Sequence, residues 1–293
     1  MLEKGTQLGA FIIDRPLGSG NTGTVYRASS IHNSMTFAIK VLAPELAEDR
    51  TVVTMFDEEA KAGMQINHPH IVQTMYVGRH EGVPYMVFEF VKGISLATLI
   101  DQGPLREGPC IWILRQMGQA LRALHGKGMI HQDIKPENIL IDNAGNCKLT
   151  DLGFARVPKG KINWDGYAAG TASYMPPEQW RGGKDQPIDG RSDLYALGAT
   201  LYHAATGAPP FHAEEEDDLA KLHLHEPPQS VHLRNPGISR PFSVILARLL
   251  EKLPEDRYPS AEAMLLAIRS LRVTPTPPAV IISRVKPPKA SEG

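Results

Sequence analysis

The sequence predicts an α+β protein with a small β-rich N-terminal part carrying one main helix and a larger helical part after it. A change of texture near Gly93 predicts this. Before it, "FIIDRPLGSG", "GTVYRAS", "MTFAIKVL" and "PYMVFEFV" are short runs rich in β-branched and aromatic residues, bounded by Gly, Pro or Asn, and they read as strands. After it, "CIWILRQMGQALRALHGKG", "RSDLYALGATLYHAATG" and "FSVILARLLEKL" repeat their apolar residues at helical spacing. Within the first part, "TVVTMFDEEAKAGMQIN" is the one helical stretch, closed by Asn67 and Pro69. The organisation that follows is 11–91 for the β-rich lobe, 92–272 for the helical lobe, and a proline-rich tail, 273–293, expected to be extended or disordered.

The bulk numbers narrow the function. The chain has 293 residues and a net charge of −1, so nothing pulls it toward nucleic acid. Its two cysteines, Cys110 and Cys147, lack metal-ligand spacing and fit reduced, structural thiols, which points to a cytoplasmic setting. The N-terminus has no apolar core of signal-peptide length, and no stretch approaches the roughly 20 apolar residues of a membrane helix, so a soluble chain is expected.

Four stretches carry chemistry. In "LGSGNTGTVY", Gly18, Gly20 and Gly23 allow the backbone to fold back and bring N–H groups to phosphate oxygens. The chain continues as a strand, not a helix, which favours a hairpin flap over a dinucleotide turn. "FAIKVL" sets Lys40 in an apolar strand. It is either a snorkelling edge lysine or one held inward by a carboxylate, with Glu59 the candidate; Glu58 points elsewhere, about 100° around the helix. In "HQDIKPEN", Asp133 can accept a hydroxyl proton, Lys135 can meet phosphoryl charge, and Asn138 offers an amide oxygen suited to a hard cation. "KLTDLGFA" adds Asp151 as a second oxygen ligand. Singly, any of these residues can be a turn or cap residue.

Together and in this order they resemble the eukaryotic-like protein kinase family over roughly residues 11 to 272, and "GTASYMPPEQW", "RSDLYALG", "HLHEPP" and "LPEDRYPS" are most similar to its bacterial Ser/Thr members. The resemblance implies a bilobal kinase fold, ATP with Mg²⁺ or Mn²⁺, and protein substrates bearing Ser or Thr. It places Leu17, Gly18, Ser19, Gly20, Asn21, Thr22, Gly23, Val25 and Ala38 over the nucleotide and Leu140 beneath it. Phe88 takes the gatekeeper position, with backbone groups of Glu89 and Val91 at the adenine edge. Lys40 would bind the α- and β-phosphates and pair with Glu59, Asp133 would be the base, Lys135 would meet the γ-phosphate, and Asn138 and Asp151 would hold the metal. Thr171 would hydrogen-bond Asp133 and Lys135, and with Lys135 it marks Ser/Thr over Tyr specificity. Glu178 would pair with Arg257, and Asp193 would orient the catalytic loop. Neither nucleic acid nor a membrane segment is expected, and a homodimer is one open arrangement.

Two departures coincide. Gln132 stands where the family has an arginine that receives a phosphate, and "DLGFARVPKGKINWDGYAAG" contains no Ser or Thr to carry one. The expectation is a kinase that needs no phosphorylation there. Gly63, one turn after Glu59, costs about 1 kcal/mol relative to Ala in a helix and is expected to leave that helix easier to swing. A nucleotide-binding pseudokinase is disfavoured because the lysine, base and metal residues are all present. A small-molecule kinase would not carry "PPE", "RSDLYALG" and Arg257 in this order.

Overall fold

A computed structural model of the chain describes residues 2–20, 22–152, 172–183 and 187–278. The chain divides into two compact units. One comprises residues up to Val91 together with Leu152; the other runs from Lys92 to Asp151 and on through the C-terminal helices.

The first unit is a six-stranded sheet in the order β1-β2-β3-β4-β6-β5, formed by Gln7–Leu8, Phe11–Gly20, Gly23–Ser30, Thr36–Leu42, Thr74–His80 (β5) and Val83–Glu89 (β6). The paired strands are antiparallel. Alternation along the strands sends Ile13, Tyr26, Ala28, Ile39, Tyr85 and Val87 into one core. The opposite parity sends Leu42 and Met86 into another, against Phe56 and Ala60 of helix α1, Arg50–Met64. Lys40 shares the parity of Leu42 and sits in register with Met86, so the sheet turns it toward α1. Asp49 caps α1, accepting from the N–H groups of Thr51 and Val52. The buried residues Phe56, Glu59, Ala60 and Gly63 form one i, i+3, i+4, i+7 stripe. The β2–β3 hairpin closes on the pair Gly20 and Gly23. Gly23 has φ +152°, and a Cβ there would collide with the Val41 carbonyl oxygen, so a glycine is required at that end of the flap.

The second unit is mostly helical: α2 (Leu96–Ile100), α3 (Glu107–His125), α4 (Pro177–Trp180), α5 (Gly190–Thr206), α6 (Glu216–His225), α7 (Val231–Arg234), α8 (Arg240–Leu249) and α9 (Ala261–Ile268). A small sheet, β7-β8-β9 (Gly93–Ser95, Ile139–Asp142, Cys147–Leu149), lies among them. Helix α5 is buried nearly all round, from Ser192 to Ala205, which makes it the axis of the unit; it ends at Gly207 in the left-handed region. Cys110 and Cys147 are free and buried. Burial pushes both thiols up, Cys147 to about 12, which fits inert, structural cysteines.

The start of the proline-rich tail carries neither helix nor strand. Residues 273–278 are placed, Thr276 N–H donates to the Gly108 carbonyl at 3.3 Å, and Pro278 is buried. Lacking N–H groups, its prolines cannot build a ladder, and one backbone bond plus apolar packing hold the segment beside α3.

Candidate active site

In the first unit, Lys40 Nζ lies 3.2 Å from Glu59 Oε1 and 3.4 Å from Oε2, with side chains only 12 % and 8 % exposed. The pair joins a central strand to α1. The alternative of an edge lysine reaching into solvent is therefore removed. Leu17, Gly18, Ser19 and Gly20 are exposed at the open end of β2, and Ser19 Oγ meets Thr24 Oγ1 at 3.2 Å across the hairpin. Thr22 accepts a bond from Ala43 N–H at 3.0 Å, which fastens the hairpin to β4. Val25 pairs with Lys40, and Ala38 pairs with Phe88. Glu89 N–H donates to the Gln73 carbonyl at 3.0 Å, and its carboxylate accepts from Gln73 N–H at 2.9 Å, which fixes the last residues before Val91.

In the second unit, Asp133, Lys135 and Asn138 converge. Lys135 Nζ is 3.0 Å from Asp133 Oδ2. Asn138 Nδ2 donates to Asp133 Oδ2 at 2.9 Å and to the Asp133 carbonyl at 2.8 Å. The amide nitrogen of Asn138 is thereby committed to Asp133, and the remaining side-chain donor atom is a carbonyl oxygen, the kind of ligand a hard cation takes. Asp133 Oδ1 is buried and has no hydrogen-bond partner among the described residues. Burial pushes the Asp133 carboxyl above the usual carboxylate range; Lys135 and His131 pull it back, and Asp151 adds to the rise. Leu140 lies in β8, paired with Ser95 and Lys148. Asp151 follows β9 with φ 62°, a left-handed conformation that aspartate tolerates better than most residues. Asn21 and Thr171 lie outside the described residues.

A buried carboxylate builds the loop. Asp193, on α5, accepts from His131 N–H at 2.9 Å and from Gln132 N–H at 2.8 Å, and meets His125 Nε2 at 2.8 Å. Gln132 has φ 66°, and its carbonyl accepts from Gln179 Nε2 at 3.2 Å. His131 Nδ1 accepts from Asp133 N–H at 3.3 Å, which leaves the ring proton on Nε2, 3.1 Å from the Thr150 carbonyl. His125, His131, Thr150 and Gln179 are the supporting residues that the sequence reading did not single out. His131 alone had a signal, a histidine two residues before an acid.

Further along, Arg257 Nη1 and Nη2 clamp the two Glu178 oxygens at 2.7 and 2.8 Å, both side chains fully buried. No helix among the described residues is long and apolar enough to cross a membrane, and these residues hold no cluster of three His, Cys, Asp or Glu suited to a metal.

Comparison with known proteins gives the class. The family model described as "Protein kinase domain" matches residues 11–266. The chain belongs to the protein kinase family, among the eukaryotic-like serine/threonine kinases, and its fold is that of a protein kinase. Particular relatives follow. The chain is 34 % identical over 266 residues to "Serine/threonine-protein kinase PknH" of Mycobacterium tuberculosis, covering 90 % of this chain and 42 % of that one. It is 36 % identical over 264 residues to "Serine/threonine-protein kinase pkn3" of Myxococcus xanthus, covering 86 % and 48 %. The chain thus spans less than half the length of these relatives. Among solved structures, the Mycobacterium tuberculosis PknI kinase domain superposes with a TM-score of 0.70 at 26 % identity, covering 92 % of this chain and 98 % of that one.

Proposed function

We propose that this chain is an active serine/threonine protein kinase that transfers the γ-phosphate of ATP to protein hydroxyls without phosphorylation of its activation segment. The observation that carries it is Asp133, whose Oδ1 is a buried acceptor unmatched among the described residues while Oδ2 is held by Lys135 and Asn138. A buried acceptor that no described residue satisfies is suited to a substrate hydroxyl.

The proposed reaction runs as follows. The Ser or Thr hydroxyl gives its proton to Asp133 Oδ1 as its oxygen bonds to the γ-phosphorus; the bond from that phosphorus to the β–γ bridging oxygen breaks, and ADP leaves with the electron pair. Lys135 stabilises the charge on the moving group, and Lys40, steadied by Glu59, holds the α- and β-phosphates. The flap 17–23, with Val25 and Ala38, covers the nucleotide, Phe88 takes the gatekeeper position, and Leu140 supports the nucleotide from beneath. Since Glu89 N–H is engaged with Gln73, its carbonyl is the group offered to the adenine edge, with Val91 beyond. The Asn138 oxygen and the Asp151 carboxylate suit a divalent cation, which when bound supplies neutralisation of phosphate charge. Thr171 beside Asp133 and Lys135 belongs to the same proposal, as do protein substrates. The organisation into lobes 11–91 and 92–272 with a tail from 273 is the working division.

Gln132 acts through its backbone. Its N–H and C=O are both engaged, and a neutral amide side chain has no charge to pair with a phosphate. The lack of Ser and Thr between Asp151 and Gly170 supports the same reading. The test is transfer from labelled ATP to a basic protein with Mg²⁺, with Asp133→Asn alongside and intact mass recorded. Transfer by the parent alone, with the segment unmodified, is expected. Transfer that depends on phosphate at Tyr167, Thr171 or Ser173 refutes the phosphorylation-independent part. ATP binding without transfer favours a pseudokinase.

A further inference from the structure

We propose that Thr274 is a phosphorylation site of this kinase, and that a cleft between α3 and α9 carrying Arg115 and Arg269 receives its phosphate. This rests on the phosphotransfer reading given above.

The cleft is built from two helix faces. Along α3, Gly108, Arg115 and Arg122 recur every seven residues and share one face. Along α9, Glu262 and Leu265 stand one turn apart, and Arg269, one turn further, is the C-cap. These faces, with Val273 and Pro275 of the tail, line a cavity of about 300 Å³. Arg122 Nη1 lies 2.7 Å from Glu262 Oε2, so the carboxylate in the lining is already neutralised. Arg115 and Arg269 are exposed, and neither guanidinium has a hydrogen-bond or ion-pair partner among the described residues. Two uncompensated guanidiniums on one cavity suit a phosphate, whose oxygens match their forked donors.

The tail brings the hydroxyl. Val273 and Pro275 both line the cavity, so the Thr274 Cα stands about 3.8 Å from the Cα of each. Thr274 is exposed, open to an active site that must reach it. Thr276 is placed differently. A Cβ on Gly108 would lie 2.5 Å from Thr276 Oγ1, so that hydroxyl rests against the backbone of α3, and Thr276 N–H donates to the Gly108 carbonyl at 3.3 Å. A phosphate on Thr276 would displace the segment, whereas one on Thr274 leaves this fastening in place. The same chain that carries no arginine at 132 and no hydroxyl between Asp151 and Gly170 thus holds free arginines and a threonine together here.

The step balances as the reaction above does. The Thr274 hydroxyl gives its proton to Asp133 Oδ1 as its oxygen bonds to the γ-phosphorus of ATP; the bond from that phosphorus to the bridging oxygen breaks, and ADP leaves with the electron pair. The product carries a charge of about −1.5 to −2 at pH 7 and forms new charge-assisted bonds to Arg115 and Arg269. A tail start that was held by one backbone bond becomes tied to α3 and α9.

The experiment has two arms. In the first, the parent, Thr274→Ala and Asp133→Asn are each incubated with Mg-ATP, and phosphate is located by tandem mass spectrometry. Phosphate on Thr274 is expected in the parent and not in Asp133→Asn. In the second, phosphothreonine is encoded genetically at 274 in the full chain, with and without Arg115→Ala/Arg269→Ala, and its phosphate is titrated by ³¹P NMR. A solvated phosphothreonine titrates near about 6; in the cleft it is expected at about 5 or lower, and near about 6 again in the double variant. Both arginines are exposed, and Arg115→Gln/Arg269→Gln keeps the packing of their stems if the alanine variant fails to fold. An encoded phosphothreonine that titrates near 6 in the parent, or that ignores the arginine variants, overturns the receiving cleft whether or not the chain is active. A parent that phosphorylates a basic protein but leaves Thr274 unmodified overturns this inference alone. A parent that transfers phosphate to neither overturns the functional reading beneath it, and with it Thr274 as this kinase's own target.

Discussion

Removing Arg257 should destabilise the helical unit more than removing the charge of its partner. Arg257 is 1 % exposed and makes five hydrogen bonds: two to Glu178, and one each to the carbonyls of Glu251 (2.8 Å), Arg191 (3.0 Å) and Lys252 (3.1 Å). Its guanidinium also lies 4.8 Å from the centre of the Tyr195 ring. In Arg257→Ala, Glu178 stays buried, with the Ser192 hydroxyl at 2.7 Å as the side-chain donor left to it among the described residues. Three main-chain carbonyls lose a donor as well. Breaking a buried pair from one side costs about 3–5 kcal/mol. For a unit of roughly 150–250 residues, each kcal/mol lowers the melting temperature by about 2–4 °C, so a fall of roughly 6–20 °C follows. In Glu178→Gln the guanidinium keeps its three carbonyls and the Tyr195 ring, and the amide oxygen can still accept, so the loss should be smaller. Thermal melts followed by circular dichroism, with urea titration as a second measure, check both variants. An Arg257→Ala melt within 1–2 °C of the parent, or a larger loss in Glu178→Gln, would refute the reasoning.

Other outcomes follow from the same structure. Lys40→Met should lower kcat/KM by about 10²–10³-fold, the usual effect of deleting one preorganised charge-stabilising donor, and an unchanged rate in a steady-state assay would remove Lys40 from the site. Because burial raises the Asp133 carboxyl above its ordinary value of 3.8, the base is lost on acidification sooner than an exposed aspartate would be; the acid limb of kcat/KM should fall at a pH above 3.8 and vanish in Asp133→Asn. His223 is fully buried against Trp180, Phe211 and the Tyr195 hydroxyl, and burial, then Lys252, lowers it from 6.5 to about 3. Between those values the unfolded chain binds a proton that the native one does not, so stability falls as pH drops from 6.5 toward 3. At about 1.36 kcal/mol per pH unit the loss reaches roughly 5 kcal/mol, and it should flatten in His223→Phe when melts are compared across that range.

What could be read from the sequence was what lies close along the chain. Asp133, Lys135 and Asn138 occupy six consecutive positions, and their chemistry is legible in the types and spacing alone. Lys40 and Glu59 were legible because a charged residue in an apolar strand needs a partner, and the next helix offered one. The supports were hidden because they are distant in sequence: Asp193 is on α5, and the Glu178–Arg257 clamp joins residues 79 positions apart, visible beforehand only through family resemblance. Strand β5, "TMYVGRH", escaped notice because a glycine and two basic residues dilute its β-character. The close approach at Gly63 was hidden for the same reason: Thr74, whose Oγ1 a Cβ there would meet, belongs to a strand the sequence did not announce.

The proposed independence from an arginine at 132 is supported by the main chain there. The bonds that shape the loop there run from backbone atoms: Gln132 N–H to Asp193, Gln132 C=O from Gln179, and Asp133 N–H to His131. A left-handed conformation in a non-glycine residue costs of order 1–3 kcal/mol and persists only where its surroundings impose it. Here Asp193 imposes it, fully buried and bonded to two successive amides and to His125. The direction of Asp133 is therefore set by α5 and the loop backbone, and the side chain at 132 is left as the part that can change. Exchanging a guanidinium for a neutral amide removes the capacity to sense a phosphate without touching the bonds that aim the base. Under the proposed phosphorylation-independent reading, that separation lets the missing receptor at 132 and the missing hydroxyls between Asp151 and Gly170 belong to one design.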